Sequence, residues 1–266
     1  MDLELTGKRA LVTGGSKGIG KAVARQLALE GCEVCVTARD AQRLASTAAE
    51  LSEATGRRVV WAAGDSADDA SVRSVVAACV DKLGGVDILV NSAAMPAGQS
   101  APPRLAEITD EAFWSDVNVK VMGYLRYARE VVPHMTAQHW GRIINISGLG
   151  ARSSHSIIGS VRNVGVAAMT KNLADELGPA GINVTVVHPG LTRTEKTSEV
   201  VAAQAEKSGT TPEVIEQRMG SGTSIGRIIE SDEVAYVVAF LASPKSVSIT
   251  GDAVACGGGQ KGVIHY

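Results

Sequence analysis

The sequence predicts a doubly wound α/β protein: one parallel sheet of about seven strands with helices on both faces, formed by residues 1–266 as a single domain. Three observations carry this. Short apolar runs recur along the chain, "RALVTGG", "CEVCVTA", "RVVWAAGD", "VDILVNSA", "GRIINISG", "NVTVVHPG" and "AVACGGG". They are continuous rather than alternating, as strands covered on both faces must be. The intervals between them have helical length and pattern, which suits parallel crossovers.

Taken in order, the first run ends at Thr13 and passes through Gly14, Gly18 and Gly20 directly into a helical pattern, "KAVARQLALEG". The second contains a C-x-x-C, Cys32 and Cys35, whose members in a strand would point to opposite faces, so they read as two buried thiols. After the fourth run, "TDEAFWSDVNVKVMGYLRYAREVVPHM" reads as a helix with Thr109 or Asp110 capping its start and Pro133 near its end. After the fifth, Val161, Val164, Ala168, Leu173 and Leu177 recur at three- and four-residue steps, and "GPAG" closes that helix. Residues 195–225 turn polar and rich in Gly and Thr after a strand end, the place for a substrate lid; a surface insertion without function reads equally well there.

Composition narrows the partners. The chain has 266 residues, 45% of them hydrophobic, and a formal charge of −2 with both signs scattered, so nucleic acid and anionic membranes are poor partners and a small-molecule substrate is expected. Cys32, Cys35, Cys79 and Cys256 match neither a disulfide framework nor a complete zinc site, and no metal is expected. The N-terminal "MDLELTGKRALVTGG" resembles neither a signal peptide nor a membrane span, which places the protein in a reducing, cytoplasmic setting. Aromatic content of 3% gives no sign of a stacking platform for large planar substrates.

The glycine loop carries the first chemistry. Between a strand and a helix, glycines let the backbone turn tightly and approach a pyrophosphate, which then faces the amides and positive end of the helix. This is the dinucleotide-binding, Rossmann-like arrangement. At the end of the second strand, where an acidic residue would hold the ribose 2′-hydroxyl of NAD, stand Ala38 and Arg39. A guanidinium there favours a 2′-phosphate, and Lys17 in the loop adds a second cation, so NADP(H) is expected over NAD(H).

With "TGGSKGIG", Asp65 in "AAGDSAD", "NSAA", Asn118 in "DVNVK", "GRIINIS", "HPGLTRT" and "SITGDAVACGGG" in this order, the chain resembles the short-chain dehydrogenase/reductase family over almost its whole length. The resemblance implies that Gly14, Ser16, Lys17, Gly18, Ile19 and Gly20 form the phosphate loop. It places Asp65 and Ser66 at the adenine, Asn91 beside the adenosine ribose, and Pro189, Gly190, Thr192 and Thr194 along the nicotinamide. It also implies that Asn118 helps organise a proton relay, and that the protein is a homotetramer or dimer packed through the helices of Asn118 and Asn163.

The departures are as informative. Family members carry Tyr-x-x-x-Lys on the helix after the fifth strand; here Gly159 stands at the tyrosine position and Asn163 at the lysine position. The family serine falls at Gly148, with Ser147 one place earlier, which on a strand is the other face. "NSAA" differs from the usual Asn-Asn-Ala-Gly at Ser92 and Ala94, both small. A positioned acid contributes about 10²- to 10⁴-fold in rate, so its loss impairs carbonyl reduction without forbidding it. In the loop "SSHS", His155 is the foremost substitute acid, since imidazole titrates near neutrality, although a solvated loop histidine would have no role; His188 is a weaker candidate. Asn163 can still hydrogen-bond a ribose hydroxyl. The sequence therefore points first to an NADP(H)-dependent oxidoreductase of carbonyl reductase or alcohol dehydrogenase type, with catalytic candidates Asn118, Ser147, His155 and Asn163. It leaves open a non-redox enzyme (dehydratase, isomerase or cyclase) and an NADP(H)-responsive binding protein.

Overall fold

The protein is described by a computed structural model covering residues 1–95, 102–154 and 156–262. Its strands are β1 (Arg9–Thr13), β2 (Glu33–Ala38), β3 (Val59–Ala63), β4 (Ile88–Asn91), β5 (Gly141–Ile146), β6 (Ile182–Pro189), the two-residue β7 (Thr192–Arg193) and β8 (Ile229–Glu230), and β9 (Ala253–Cys256). Seven of them form one parallel sheet in the order β3-β2-β1-β4-β5-β6-β9, as the apolar runs predict, while β7 pairs with β8 separately.

The helices are α1 (Gly18–Leu29), α2 (Ala41–Thr55), α3 (Asp69–Leu83), α4 (Asp110–Val117), α5 (Gly123–Ala137), α6 (Ile157–Leu177), α7 (Thr197–Ser208), α8 (Pro212–Ser221) and α9 (Ser231–Ala242). The strand alternation sorts side chains between two cores. Ala10, Val12, Ile88 and Val90 meet α1, α2 and α9 on one face; Leu11 and Leu89 meet α3, α5 and α6 on the other. The C-x-x-C obeys the same rule, with Cys32 in the first core and Cys35 in the second, both buried as free thiols.

Four helix starts are closed by a side chain at the capping position. Asp40 caps α2, Asp68 caps α3, Thr109 caps α4 and Ser156 caps α6, each accepting a backbone N–H of the first turn. At α1 the capping position is Lys17, which makes no such bond, and the first turn holds no acidic residue. The N-terminus of α1 is thus left for an anion from elsewhere.

Two expectations about helices change in detail. Pro133 lies inside α5, which runs on to Ala137. In α6 the stripe of Val161, Val164 and Ala168 faces away from the sheet, whereas Ile158, Arg162, Asn163, Val166, Thr170, Ala174 and Leu177 are buried. The inward face of α6 is polar near its start because the site lies there. Between α4 and α5 the chain passes through one π-helical turn, Asn118–Met122, a widened turn of the kind that often marks functional sites. Residues 195–225 form mainly α7 and α8, which pack on each other through Val201, Ala205, Ile215 and Met219. Among the described residues, no helix is long and apolar enough to cross a membrane.

Candidate active site

Sheet order reverses between β1 and β4, and the crevice at their carboxyl ends is where a doubly wound sheet binds ligands. The two strand ends are tied together: Thr13 Oγ1 accepts from the N–H groups of Ser92 (2.9 Å) and Ala93 (3.1 Å), so the small residues of "NSAA" close over β1. Gly14 takes a left-handed φ of 66°, and a β-carbon there would stand 3.0 Å from the Ala93 backbone. At Gly20 a β-carbon would lie 2.3 Å from the Gly14 carbonyl oxygen. The loop therefore has the tight, side-chain-free shape that a pyrophosphate requires.

An anion already sits there. The Gly18 N–H, at the start of α1, donates to both carboxylate oxygens of Glu195, at 2.9 and 3.2 Å. Glu195 follows Thr194, whose methyl would lie 3.4 Å from a β-carbon on Gly18, so the "TRTE" segment and the glycine loop converge. This carboxylate shows that the uncapped helix start accepts negative charge, as a pyrophosphate cradle must. Ser16 is buried, with its carbonyl accepting from Thr47 Oγ1 at 3.3 Å, and Ile19 packs against the first core. Lys17 and Arg39 are both exposed beside the loop. Asp40, the neighbouring acid, caps α2 through Arg43 N at 3.0 Å, and the guanidinium of Arg39 stands before it at the β2 end.

The side that the sequence assigns to the adenine is ordered by local bonds. Asp65 Oδ1 accepts from Ala67 N at 2.9 Å, and the Ser66 carbonyl accepts from Arg126 at 3.0 Å. Asn91 is fully buried and donates to Asn145 Oδ1 at 3.0 Å, while its own Oδ1 has no hydrogen-bond partner among the described residues. Asn118 belongs to this side as well: its Nδ2 donates to the Ala67 carbonyl at 3.2 Å, and its Oδ1 accepts from Arg126 at 2.8 Å. Across the cleft, Pro189 ends β6, Thr192 Oγ1 donates to the Gly190 carbonyl at 3.0 Å, and Thr194 N donates to Thr197 Oγ1 at 2.8 Å.

Ser147 and Asn163 come together around a residue that sequence reasoning missed, Lys120. Its ammonium donates to the Ser147 carbonyl at 2.9 Å and to Asn163 Oδ1 at 3.1 Å, while Ser147 Oγ donates to the Asn163 carbonyl at 3.1 Å. Lys120 is 4% exposed. Burial, and secondarily the Arg162 guanidinium, pull its pKa down from 10.5 to about 7, against a smaller opposing pull from Asp116. Arg162 and Asp116 form their own ion pair at 2.6 Å, joining α6 to α4. The signal in the sequence was slight: a lysine two residues after Asn118, on the helical face that also carries the buried Tyr124 and Tyr127.

Around this cluster lie Gly148 and Gly159, the residues that the sequence aligns with the family's serine and tyrosine. Gly159 lies in the first turn of α6, its N–H donating to Ser156 Oγ at 3.2 Å. β-Carbons on Gly148 and Gly150 would lie 3.2 and 3.1 Å from Asn163 Nδ2, so that amino group faces the space beside two glycines. Gly148 N donates to Nδ1 of the buried His188 at 3.4 Å. Ser153 Oγ donates to the Leu149 carbonyl at 3.3 Å, and His155 lies outside the described residues. A cleft of about 540 Å³, lined by Gly150, Ser153, Ser154, Ser156, Ile157 and Ser160, opens on this loop. Its size suits a small molecule.

A sheet of this order, with its glycine loop and a site between β5 and α6, defines a dinucleotide-dependent α/β protein. The short chain dehydrogenase family model matches residues 8–205, and the chain belongs to that family. The short-chain reductase protein NovJ of Streptomyces niveus is 34% identical, over 94% of this chain and 93% of its own. The 3-oxoacyl-(acyl-carrier-protein) reductase FabG of Vibrio cholerae is 33% identical, over 97% and 99%. The crystal structure of L-sorbose reductase from Gluconobacter frateurii, complexed with NADPH and L-sorbose, matches at a TM-score of 0.92 and 31% identity, covering 99% of this chain and all of that one, 100%.

Proposed function

We propose that this chain is an NADP(H)-dependent oxidoreductase of carbonyl reductase or alcohol dehydrogenase type, with a proton relay unlike that of its family. The observation that carries the reading is the Glu195 carboxylate held by Gly18 N–H at the uncapped start of α1, with Lys17 and Arg39 exposed nearby. NADPH is the nucleotide in the matching sorbose reductase structure, which supports the choice of cofactor. Bound in this crevice, it would supply the hydride.

The chain's own residues do the remainder. The first-turn amides of α1 would face the pyrophosphate, and Arg39 with Lys17 the 2′-phosphate. Asp65 and Ser66 would border the adenine and Asn91 the adenosine ribose, with Pro189, Gly190, Thr192 and Thr194 along the nicotinamide. Carbonyl reduction builds negative charge on oxygen, and Gly159 offers no proton to it. The charge would be met by hydrogen-bond donors at the start of α6, with Asn163 first among them and the proton drawn from the cleft, where the loop serines are the available groups; His155 is the substitute acid that the sequence offers. The relatives act on 3-oxoacyl groups and a ketose, so small carbonyl compounds of these classes are the first substrates to try.

Exposed apolar side chains along α4 and α6, Trp114 at 63%, Val161 at 48% and Val164 at 49%, support a dimer or tetramer formed through these helices. Free, buried Cys32, Cys35 and Cys79 agree with a reducing cytoplasm. The bare Gly159 also favours a second reading, in which the cofactor is held but not consumed. The test is turnover of 3-oxoacyl thioesters and ketoses with NADPH carrying deuterium at the transferable position. Label in the product establishes the oxidoreductase; turnover without label or cofactor oxidation replaces it with a non-redox enzyme.

A further inference from the structure

We infer that Lys120 is the positioning cation of this site: from the helix beside α6 it fixes the Asn163 carboxamide so that the amino group is presented to an acceptor oxygen bound next to Gly148 and Gly150. The acceptor's identity rests on the proposed function, being either a hydroxyl of the nicotinamide ribose or the carbonyl oxygen of the substrate.

The geometry leaves little freedom. An ammonium has only donors, so the Asn163 oxygen must face Lys120 at 3.1 Å and the amino group must turn the other way. That direction is toward Gly148 and Gly150, and Gly150 lines the 540 Å³ cleft. The same ammonium holds the Ser147 carbonyl at 2.9 Å, and Ser147 Oγ holds the Asn163 carbonyl at 3.1 Å. β5 and α6 are therefore clamped at the point where the family's serine and lysine positions have become Gly148 and Asn163.

A purely structural role does not account for a buried cation here. Among the described residues no carboxylate lies within ion-pair distance of Lys120 Nζ, and Asp116, the acid whose charge favours its protonation, is paired with Arg162 at 2.6 Å. An apolar side chain would fill the same space without the desolvation cost. Positive charge at this place instead lends its field to the Asn163 amide, strengthening it as a donor where negative charge develops. The charged groups facing Lys120 are Arg162 from α6, which disfavours its protonation, and Asp116 from α4, which favours it; burial, the larger effect and in the same direction as Arg162, brings its titration to about 7. Once neutral, the amine can accept as well as donate, and the orientation of Asn163 is no longer dictated.

The test starts with the free protein, which needs neither cofactor nor substrate. In protein labelled with carbon-13 at the lysine ε-carbon, one resonance should titrate near neutrality and be missing from Lys120→Met and Lys120→Gln. The Asn163 side-chain amide signals, assigned through Asn163→Ala, should move with the same midpoint. A Lys120 that titrates like an ordinary lysine, or an Asn163 amide indifferent to it, overturns the inference. NADPH fluorescence titrations follow, with affinity in the wild type expected to fall about fivefold to tenfold between about pH 6 and about pH 8.5. Lys120→Gln keeps hydrogen-bonding capacity without the charge and should lose that part of the dependence. A profile unchanged in this variant assigns the effect to the cofactor's own 2′-phosphate and overturns the inference. Asn163→Ala separates the acceptors: weaker NADPH binding identifies the ribose hydroxyl, and intact NADPH binding with a lower kcat identifies the substrate carbonyl. No change in either refutes the role. Wild-type protein that binds no NADPH at any pH refutes the proposed function instead, while the free-protein titration still decides Lys120.

Discussion

Lys120 Nζ lies 3.1 Å from Asn163 Oδ1, so the residue that the sequence aligns with the family lysine is in contact with a lysine from the adjoining helix. This contact has a measurable stability signature. Lys120 has its folded pKa depressed to about 7 from 10.5. Between those values the unfolded chain binds more protons than the folded one, so stability rises with pH across that window and the full cost of the buried charge is felt below it. Lys120→Met should therefore be more stable than wild type by about 1–4 kcal/mol near pH 6, and the gap should shrink as pH approaches the ordinary lysine value. Urea denaturation at a series of pH values checks this. A variant less stable than wild type throughout would make Lys120 an ordinary structural donor.

Restoring the family lysine should fail for a predictable reason. Asn163→Lys places a second ammonium within reach of Lys120, in a pocket where Asn163 is 6% exposed, and should cost about 2–4 kcal/mol. Combining it with Lys120→Met removes the like-charge contact and should recover roughly half of that loss, a coupling of about 1–2 kcal/mol in a double-mutant cycle. Additive effects would mean that the two positions do not share one cation site.

The fold and the class of cofactor were legible in the sequence because both depend on local patterns. Seven apolar runs separated by helical intervals dictate a parallel sheet, and glycines between β1 and α1 have one geometric use. The cluster was not legible, because Lys120 meets Asn163 only once α6 packs beside the π-helical turn, and no spacing announces a contact across 43 residues. Glu195 was hidden for the same reason, lying 177 residues from the amide it accepts. The outward stripe of Val161 and Val164 showed that α6 is a helix, but periodicity alone does not tell which face meets the sheet when the buried face carries Arg162 and Asn163.

Glu195 occupies the anion position at the start of α1, so in the proposed binding mode an incoming pyrophosphate displaces it. Glu195→Ala should tighten NADPH binding by about twofold to fivefold, the usual worth of a charge at a helix terminus. Calorimetric titration measures this directly. Weaker binding in the variant would show that Glu195 holds part of the cofactor or its loop rather than competing for the amides.

The exposed apolar face of α6 predicts its own covering. Val161 and Val164 are about half exposed, at 48% and 49%, with Trp114 of α4 at 63%. Val164→Glu should shift the protein toward monomer in sedimentation velocity, because a charge in an apolar contact is not readily desolvated. A wild-type protein that is itself monomeric would remove the proposed assembly.

Cofactor choice turns on Arg39. It follows β2 on the surface, and the acid beside it, Asp40, caps α2 through Oδ1, which accepts from Arg43 N at 3.0 Å. A guanidinium hydrogen-bonded to a phosphate contributes about 1.5–3 kcal/mol, so Arg39→Asp should weaken NADPH by about tenfold or more, partly by repulsion, while NADH changes little or binds better. Separate titrations with the two nucleotides read the ratio. Equal losses for both would place Arg39 outside the 2′-phosphate contact and transfer that role to Lys17, the other exposed cation of the loop, where Lys17→Ala would then show the selective loss.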